Sequence, residues 1–317
     1  MFVSDLIPIS VATLSPDATV GTDLFCRVES TDEVKLYRGG DYPLKPSDIE
    51  QLRTRGVNQL FIAPESREAY QDYLRELTSN DEIDVDVAAR TTALNEVVLS
   101  VLQGTFDGRD SGQAVDVATE LGGMAADVVT RDDFAAVDLF KVLNHDYATF
   151  THSANVAYYA GMLASELGHD RDTVQKIITG GLVHDLGKLQ IPDSILCKPG
   201  RLTDEEFDAI RMHPITGFRQ LAHRDDLTAG QLMMVYQHHE RVDGTGYPVG
   251  VDEHEIHPWA KICAVVDVYE AVTSQRPYRK PMPRTRALEI LQKDIGTAFD
   301  PEAVQCWTSI IQSTTPK

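Results

Sequence analysis

Seven polar side chains fall on, beside or at the end of apolar helix faces: His152, His184, Asp185, His213, His238, His239 and Asp267. Burying a polar group without a partner costs roughly 2–7 kcal/mol, so side chains in such places ordinarily have a hydrogen-bond partner or a metal ion. Each of the seven, taken singly, is more simply read as a satisfied core histidine or a capped aspartate. Together they supply five imidazoles and two carboxylates. That mixed nitrogen and oxygen set suits iron, manganese or zinc better than magnesium or calcium.

The elements that must position them are helices. In THSANVAYYAGMLASELG the apolar face runs through Val156, Tyr159, Ala160, Leu163 and Leu167, and one turn back from Val156 lies His152. In DTVQKIITGGLVHDLGKLQIP, Ile177, Ile178 and Leu182 define the buried side. The pair Gly180-Gly181 permits close helix packing there, and His184 and Asp185 end the helix. A helix over about residues 204–221 carries His213 just before Pro214. The helix AGQLMMVYQHHE finishes with His238 and His239, and Leu232, Val235 and Tyr236 put His239 on or beside its apolar face. In HPWAKICAVVDVYEAVTSQ, Asp267 is set among Trp259, Ile262, Cys263 and Val266.

Residues 1–80 read as a small α+β domain, with β-like runs DLFCRVES, EVKLYRGG and VNQLFIA and helical stretches PSDIEQLRTRG and ESREAYQDYLRELTS. The acidic stretch NDEIDVD opens a linker over 81–91, and helical periodicity then holds from 92 to 317. Helices are expected at Thr92–Gln103, Gln113–Thr130 and Asp132–Leu143. Gly39-Gly40-Asp41 is too short for a cyclase signature and reads as a hairpin turn. The fold class is therefore mainly α, with a helical domain following a small α+β one.

At 317 residues the chain can bury a core without disulfides, and its four cysteines are far apart with no C-x-x-C pair. No stretch approaches the roughly 20 apolar residues of a membrane span. The N-terminal run lacks a basic leader and contains two early prolines, so a soluble, cytoplasmic protein is expected. The 29 basic and 49 acidic residues leave a net charge of −20, which repels nucleic-acid polymers. An anionic ligand then needs a local basic site, and Thr273–Arg286 offers five basic residues and no acidic one.

The string His184-Asp185, Gly187-Lys188, His213-Pro214, HHERVDGTGYP from His238 to Pro248, and Asp267 followed by RPYR at Arg276–Arg279 resembles the HD-GYP branch of the HD phosphohydrolase superfamily, over about residues 145–310. The resemblance implies an all-helical catalytic domain with a binuclear, often iron-containing site that hydrolyses cyclic di-GMP to linear pGpG or GMP. It implies His152, His184, Asp185, His213, His238, His239 and Asp267 as metal ligands, with Asp185 bridging and manganese or zinc as alternatives to iron. Some members hold a third metal through a glutamate one turn before the first histidine; here that position is Ala148, so two ions are expected.

By the same resemblance, Lys188 reaches the scissile phosphate, and Arg276 and Arg279 contact substrate phosphates. The loop Asp243, Gly244, Gly246, Tyr247 and Pro248 lines the site's edge and is linked to partner contacts, including diguanylate cyclases of the GGDEF type. Tyr247 either stacks on a base or holds the loop. Residues 1–80 resemble small domains that precede HD-GYP modules, and a regulatory or dimerising role, hence a homodimer, is expected of them. Two competing readings are a cyclic di-GMP-binding signalling module with little turnover and an HD enzyme acting on another nucleotide. No role is assigned to His145, His169, His223, His254 or His257, and surface exposure is expected for each.

Overall fold

Short runs of alternating apolar residues in the first part of the chain give way to long helical periodicity, and the computed structural model follows that change. It describes residues 3–28, 33–80, 87–108, 111–143, 149–196, 198, 200–275 and 280–314. Ala148, His145, Arg276 and Arg279, and most of the linker, lie outside these. The chain divides into two compact units, Met1–Val97 and Val98–Lys317.

The first unit holds strands β1 (Ile7–Ser10), β2 (Leu24–Arg27), β3 (Val34–Arg38) and β4 (Gln59–Ile62) and helices α1 (Pro46–Thr54) and α2 (Arg67–Ser79). The strands form one antiparallel sheet in the order β1-β4-β2-β3. The sequence reading missed β1. Its Pro8 has no N–H for a ladder, which only an edge position tolerates, and β1 is an edge strand. Gly39-Gly40 does make a turn, closed by Tyr42 N–H donating to the Gly39 carbonyl (3.1 Å), but it leads from β3 toward α1 instead of joining two strands.

Helix α3 (Val87–Gly108) starts at Val87, ahead of the expected Thr92. Its buried Arg90 explains the early start: the guanidinium donates to the carbonyls of Leu77, Thr78 and Asn80 at 2.9–3.1 Å, satisfying the end of α2.

The second unit continues with α4 (Ser111–Val129), α5 (Ala136–Val142), α6 (Thr149–Glu166), α7 (Arg171–Val183), the short α8 (Asp193–Leu196), α9 (Asp204–Arg211), α10 (His213–Leu221), α11 (Ala229–Gln237), α12 (Pro258–Thr273), α13 (Arg284–Lys293) and α14 (Pro301–Ser313). The fold is mainly α. The single helix expected over 204–221 is two, α9 and α10, because Pro214 in the first turn of α10 lacks the N–H that a continuous helix would use. The helix expected from Asp132 begins at Ala136, after a turn in which Phe134 N–H donates to the Arg131 carbonyl.

Two packing features set the position of the polar residues. Gly181 lets α7 lie directly on α6, since a Cβ there would sit 2.7 Å from Ala157 Cα. Gly187 lets the 3-10 turn Leu186–Gln190 lie on the start of α10, where a Cβ would collide with the His213 carbonyl oxygen. On the far side, Trp307 of α14 packs against Tyr159 of α6 (5.2 Å) and Tyr269 of α12 (5.1 Å), holding those two helices together. Trp307 is fully buried. Trp307→Ala is expected to destabilise the second unit by about 3–5 kcal/mol, read as a shift in the denaturant midpoint; an unchanged midpoint would remove this cluster as the anchor of α6 and α12.

Candidate metal centre

Five histidines reach the centre from helix ends and faces, and a hydrogen bond at Nδ1 decides how four of them point, to a backbone carbonyl in three and to a carboxylate in the fourth. A carbonyl oxygen can only accept, so a ring nitrogen facing one must carry the proton. His184 Nδ1 donates to the Gly181 carbonyl (2.7 Å), His213 Nδ1 to that of Ile210 (2.7 Å), and His238 Nδ1 to that of Met234 (2.9 Å). His152 Nδ1 donates to Glu270 Oε2 at 2.5 Å. All four rings therefore turn Nε2 toward Asp185: at 3.4 Å from Oδ2 for His152 and His184, and at 3.2 and 3.7 Å from Oδ1 for His213 and His238.

Two groups of potential metal-ligating atoms result, and they share Asp185. One is Asp185, His213, His238 and His239; the other is His152, His184 and Asp185; within each, the ligand atoms lie within 4.8 Å of one another. Asp267 joins the second group through its Oδ1, 3.2 Å from His152 Nε2. All seven side chains singled out in the sequence are thus brought to one place.

The arrangement calls for positive charge. His213 Nε2 and His238 Nε2 are 3.1 Å apart, and with both Nδ1 atoms protonated they face each other as lone pairs. Among the described residues, the buried atoms His184 Nε2 and Asp185 Oδ1 have no hydrogen-bond partner. Burial pushes the His184 imidazole down to about 4, overriding the lift from Asp185, so the ring is neutral and its lone pair free to coordinate. Burial also lowers His213 and His239. For Asp185 burial acts upward, but Lys188 and His184 outweigh it and hold the carboxyl well below the usual range. Lys188 Nζ lies 2.5 Å from Asp185 Oδ2. His152 is the exception: burial lowers it, yet Glu270, Asp185 and Asp267 around it raise it well above the ordinary imidazole value. A proton there offsets part of the charge of three buried carboxylates, as a cation would. The donor set fits one or more metal ions.

Comparison with known proteins agrees. Residues 141–303 match the HD domain family. A cyclic di-GMP phosphodiesterase of Pseudomonas aeruginosa is 37% identical over 86% of this chain and 70% of its own length. The chain belongs to the HD-GYP family. A 3'3'-cGAMP-specific phosphodiesterase of Vibrio cholerae is also 37% identical, over 49% of this chain and 33% of its own. The chain spans about half or less of several further curated relatives. An HD-GYP protein of Bdellovibrio bacteriovorus has the same fold, with a TM-score of 0.66 at 19% identity over 97% of this chain and all of that one.

Two carboxylates escaped the sequence reading of this HD-GYP site. Glu270, one turn beyond Asp267 on α12, is buried; besides His152 it accepts from Asn155 Nδ2 (3.2 Å) and Ser274 Oγ (2.6 Å). The signal was available, because residues three apart on a helix share a face. Glu240, also buried, accepts from the backbone N–H groups of Val249 (2.8 Å) and Gly250 (3.0 Å), tying the far end of the GYP loop to the His238-His239 corner. At the near end Asp243 accepts from Arg241 Nη2 (2.9 Å) and from Thr245 N and Oγ1 (3.0 and 2.6 Å). Between them Gly244 adopts a left-handed φ of 72°, Gly246 lies hard against the Glu240 backbone, and Pro248 follows Tyr247. Tyr247 N–H donates to the His239 carbonyl (3.2 Å).

Of the basic island, Arg276 and Arg279 lie outside the described residues, and two of its described members have partners of their own. Arg284 lies over the Phe140 ring (4.4 Å) and Arg286 pairs with Glu289 (2.5 Å). Among the histidines left without a role, His223 and His254 are exposed, but His169 and His257 are half-buried. His257 caps α12, its Nδ1 accepting from Trp259 N–H at 3.2 Å, and so helps to place Asp267. Among the described residues no helix is long and apolar enough to cross a membrane. Glu270→Ala leaves His152 Nδ1 without its acceptor, and metal affinity at the His152 group is expected to fall about 10–100-fold in a chelator competition; wild-type affinity would strip Glu270 of its orienting role.

Proposed function

We propose that this chain is a metal-dependent phosphodiesterase that opens cyclic di-GMP to linear pGpG, GMP or both at a binuclear centre. The observation that carries the reading is the sharing of Asp185 by two groups of ligand atoms. His152, His184 and Asp267 would hold one ion, His213, His238 and His239 the other, and Asp185 both, with iron the expected metal and manganese or zinc the alternatives. Such ions, when bound, supply the positive charge that activates water and neutralises a phosphodiester's anionic oxygens.

The chain's own groups prepare that chemistry. Asp185 stays ionised beside Lys188 and offers both oxygens. His184, His213 and His238 are fixed through Nδ1, so their lone pairs converge without rearrangement on binding, whereas His152 would give up its proton to an incoming ion. Lys188 is partly exposed, with 23% of its side chain accessible, where it can meet a substrate phosphate as a point charge while Asp185 stays inside. Asp185 and Lys188 are the proposed catalytic pair, and Arg276 and Arg279, outside the described residues, the proposed phosphate contacts. A cytoplasmic location, a regulatory or dimerising role for residues 1–80, and docking of GGDEF proteins at the GYP loop complete the proposal.

A second reading keeps the reaction and changes the nucleotide, because a relative of equal identity is named for 3'3'-cGAMP. Protein prepared anaerobically, assayed for metal and then given each cyclic dinucleotide with chromatography of the products, separates the two. Nucleotide bound but intact after hours would favour a signalling module instead. Asp185→Ala is expected to lose metal and hydrolysis together. Lys188→Ala is expected to keep its metal and turn over about 100-fold more slowly; equal metal loss in both variants would refute that division of labour.

A further inference from the structure

Among the five histidines of the centre, His239 is held differently. His152, His184, His213 and His238 each owe their orientation to a hydrogen bond from Nδ1. Among the described residues neither ring nitrogen of His239 has such a bond. Besides its fellow ligands His238 (4.1 Å between centroids) and His213 (5.0 Å, edge-on), what lies against its ring is Tyr247, stacked at 4.7 Å between centroids and 29° between planes. The guanidinium of Arg211, at the end of α9, lies over the same tyrosine ring at 4.9 Å. Arg211 has no carboxylate partner among the described residues; its other aromatic contact is Phe207, at 6.0 Å.

The tyrosine hydroxyl has no hydrogen bond among the described residues, so the structure uses the ring alone. The ring cannot easily drift: its own N–H is bonded to the His239 carbonyl, and the following residues are tied to Glu240.

We propose that Tyr247 is a positioning residue, its ring stacked on His239 and backed by Arg211, which fixes the His239 imidazole for the Asp185–His213–His238–His239 group as hydrogen bonds fix the other four. The proposal rests on the two-ion reading given above. It assigns Tyr247 to holding a ligand and takes it out of base recognition. It also gives Arg211 a function that no motif in the sequence suggested. The expected sensitivities differ by chemistry. Phenylalanine preserves the stack, leucine removes it, and loss of Arg211 removes only a cation–π contact at a partly exposed ring.

The test is titration of metal-free wild type, Tyr247→Phe, Tyr247→Leu and Arg211→Ala with manganese, counting ions and affinities by calorimetry and by the metal's paramagnetic resonance. Wild type and Tyr247→Phe are expected to bind two ions alike. Tyr247→Leu is expected to hold one ion as before and the other about 10–100-fold more weakly, and Arg211→Ala to weaken that same ion by about two- to fivefold. A merely structural loss would depress both ions together and lower the thermal midpoint.

Wild-type binding of both ions by Tyr247→Leu overturns the proposal. So does a Tyr247→Phe variant that keeps both ions but loses hydrolysis, since the hydroxyl would then be what matters. Should Tyr247→Leu not fold, Arg211→Ala carries the test, and unchanged affinities in it count against the stack. Fewer than two ions in wild type overturns the two-ion reading instead. The imidazole nitrogen signals of His239 in metal-free protein then decide the stacking alone: fixed in wild type and Tyr247→Phe, averaged in Tyr247→Leu if the proposal is right, and averaged in none if it is wrong.

Discussion

Lone pairs and carboxylates crowded into one buried volume repel each other unless a cation sits among them, and the second unit of this protein is arranged around that constraint. Asp185 and His184 are almost wholly inaccessible, Asp267 and Glu270 nearly so, and the Nε2 atoms of His213 and His238 face each other at 3.1 Å. Removing ionised groups from water costs several kcal/mol each, a cost that mutual attraction offsets only where opposite charge is close and well placed. Lys188 and the proton on His152 supply part of that charge. Divalent ions would supply it more fully, which is why the same residues that strain the core are suited to chemistry on a phosphodiester.

The constraint reaches outward through the backbone. Helix-end carbonyls of Gly181, Ile210, Met234 and Val235 accept from imidazole Nδ1 atoms, so the helices that bring the histidines also satisfy some of their own terminal groups. Close approach at Gly181 and Gly187 sets where α7 and α10 meet, and the Tyr159–Tyr269–Trp307 cluster sets where α6 meets α12. Electrostatics at long range points the same way. A chain of net charge −20 repels an anionic substrate, so attraction has to come from a local concentration of positive charge at the centre.

Much of this was legible in the sequence wherever a side chain contradicted its helix face. His152 and Asp267 were visible because the apolar periodicity around them is strong, and Gly180-Gly181 because small pairs in a helix have a packing purpose. Glu270 was passed over although it lies on the same face as Asp267; its role is to another side chain, and pattern alone does not show which groups meet across helices. His257 read as an exposed residue because capping depends on backbone angles at a single position. The break between α9 and α10 was marked by Pro214 and still read as continuous, since apolar spacing carries on through it. Strand β1 is short and contains a proline, so neither alternation nor propensity announces it.

The most direct measurement of the central claim is an anomalous-scattering map, recorded at the absorption edge of the bound metal, from crystals grown without oxygen and with the metal replete. Two peaks are predicted on either side of the Asp185 carboxylate, one beside His152, His184 and Asp267 and the other beside His213, His238 and His239. A single peak, or peaks that leave Asp185 uncoordinated, would contradict a centre built on one shared aspartate.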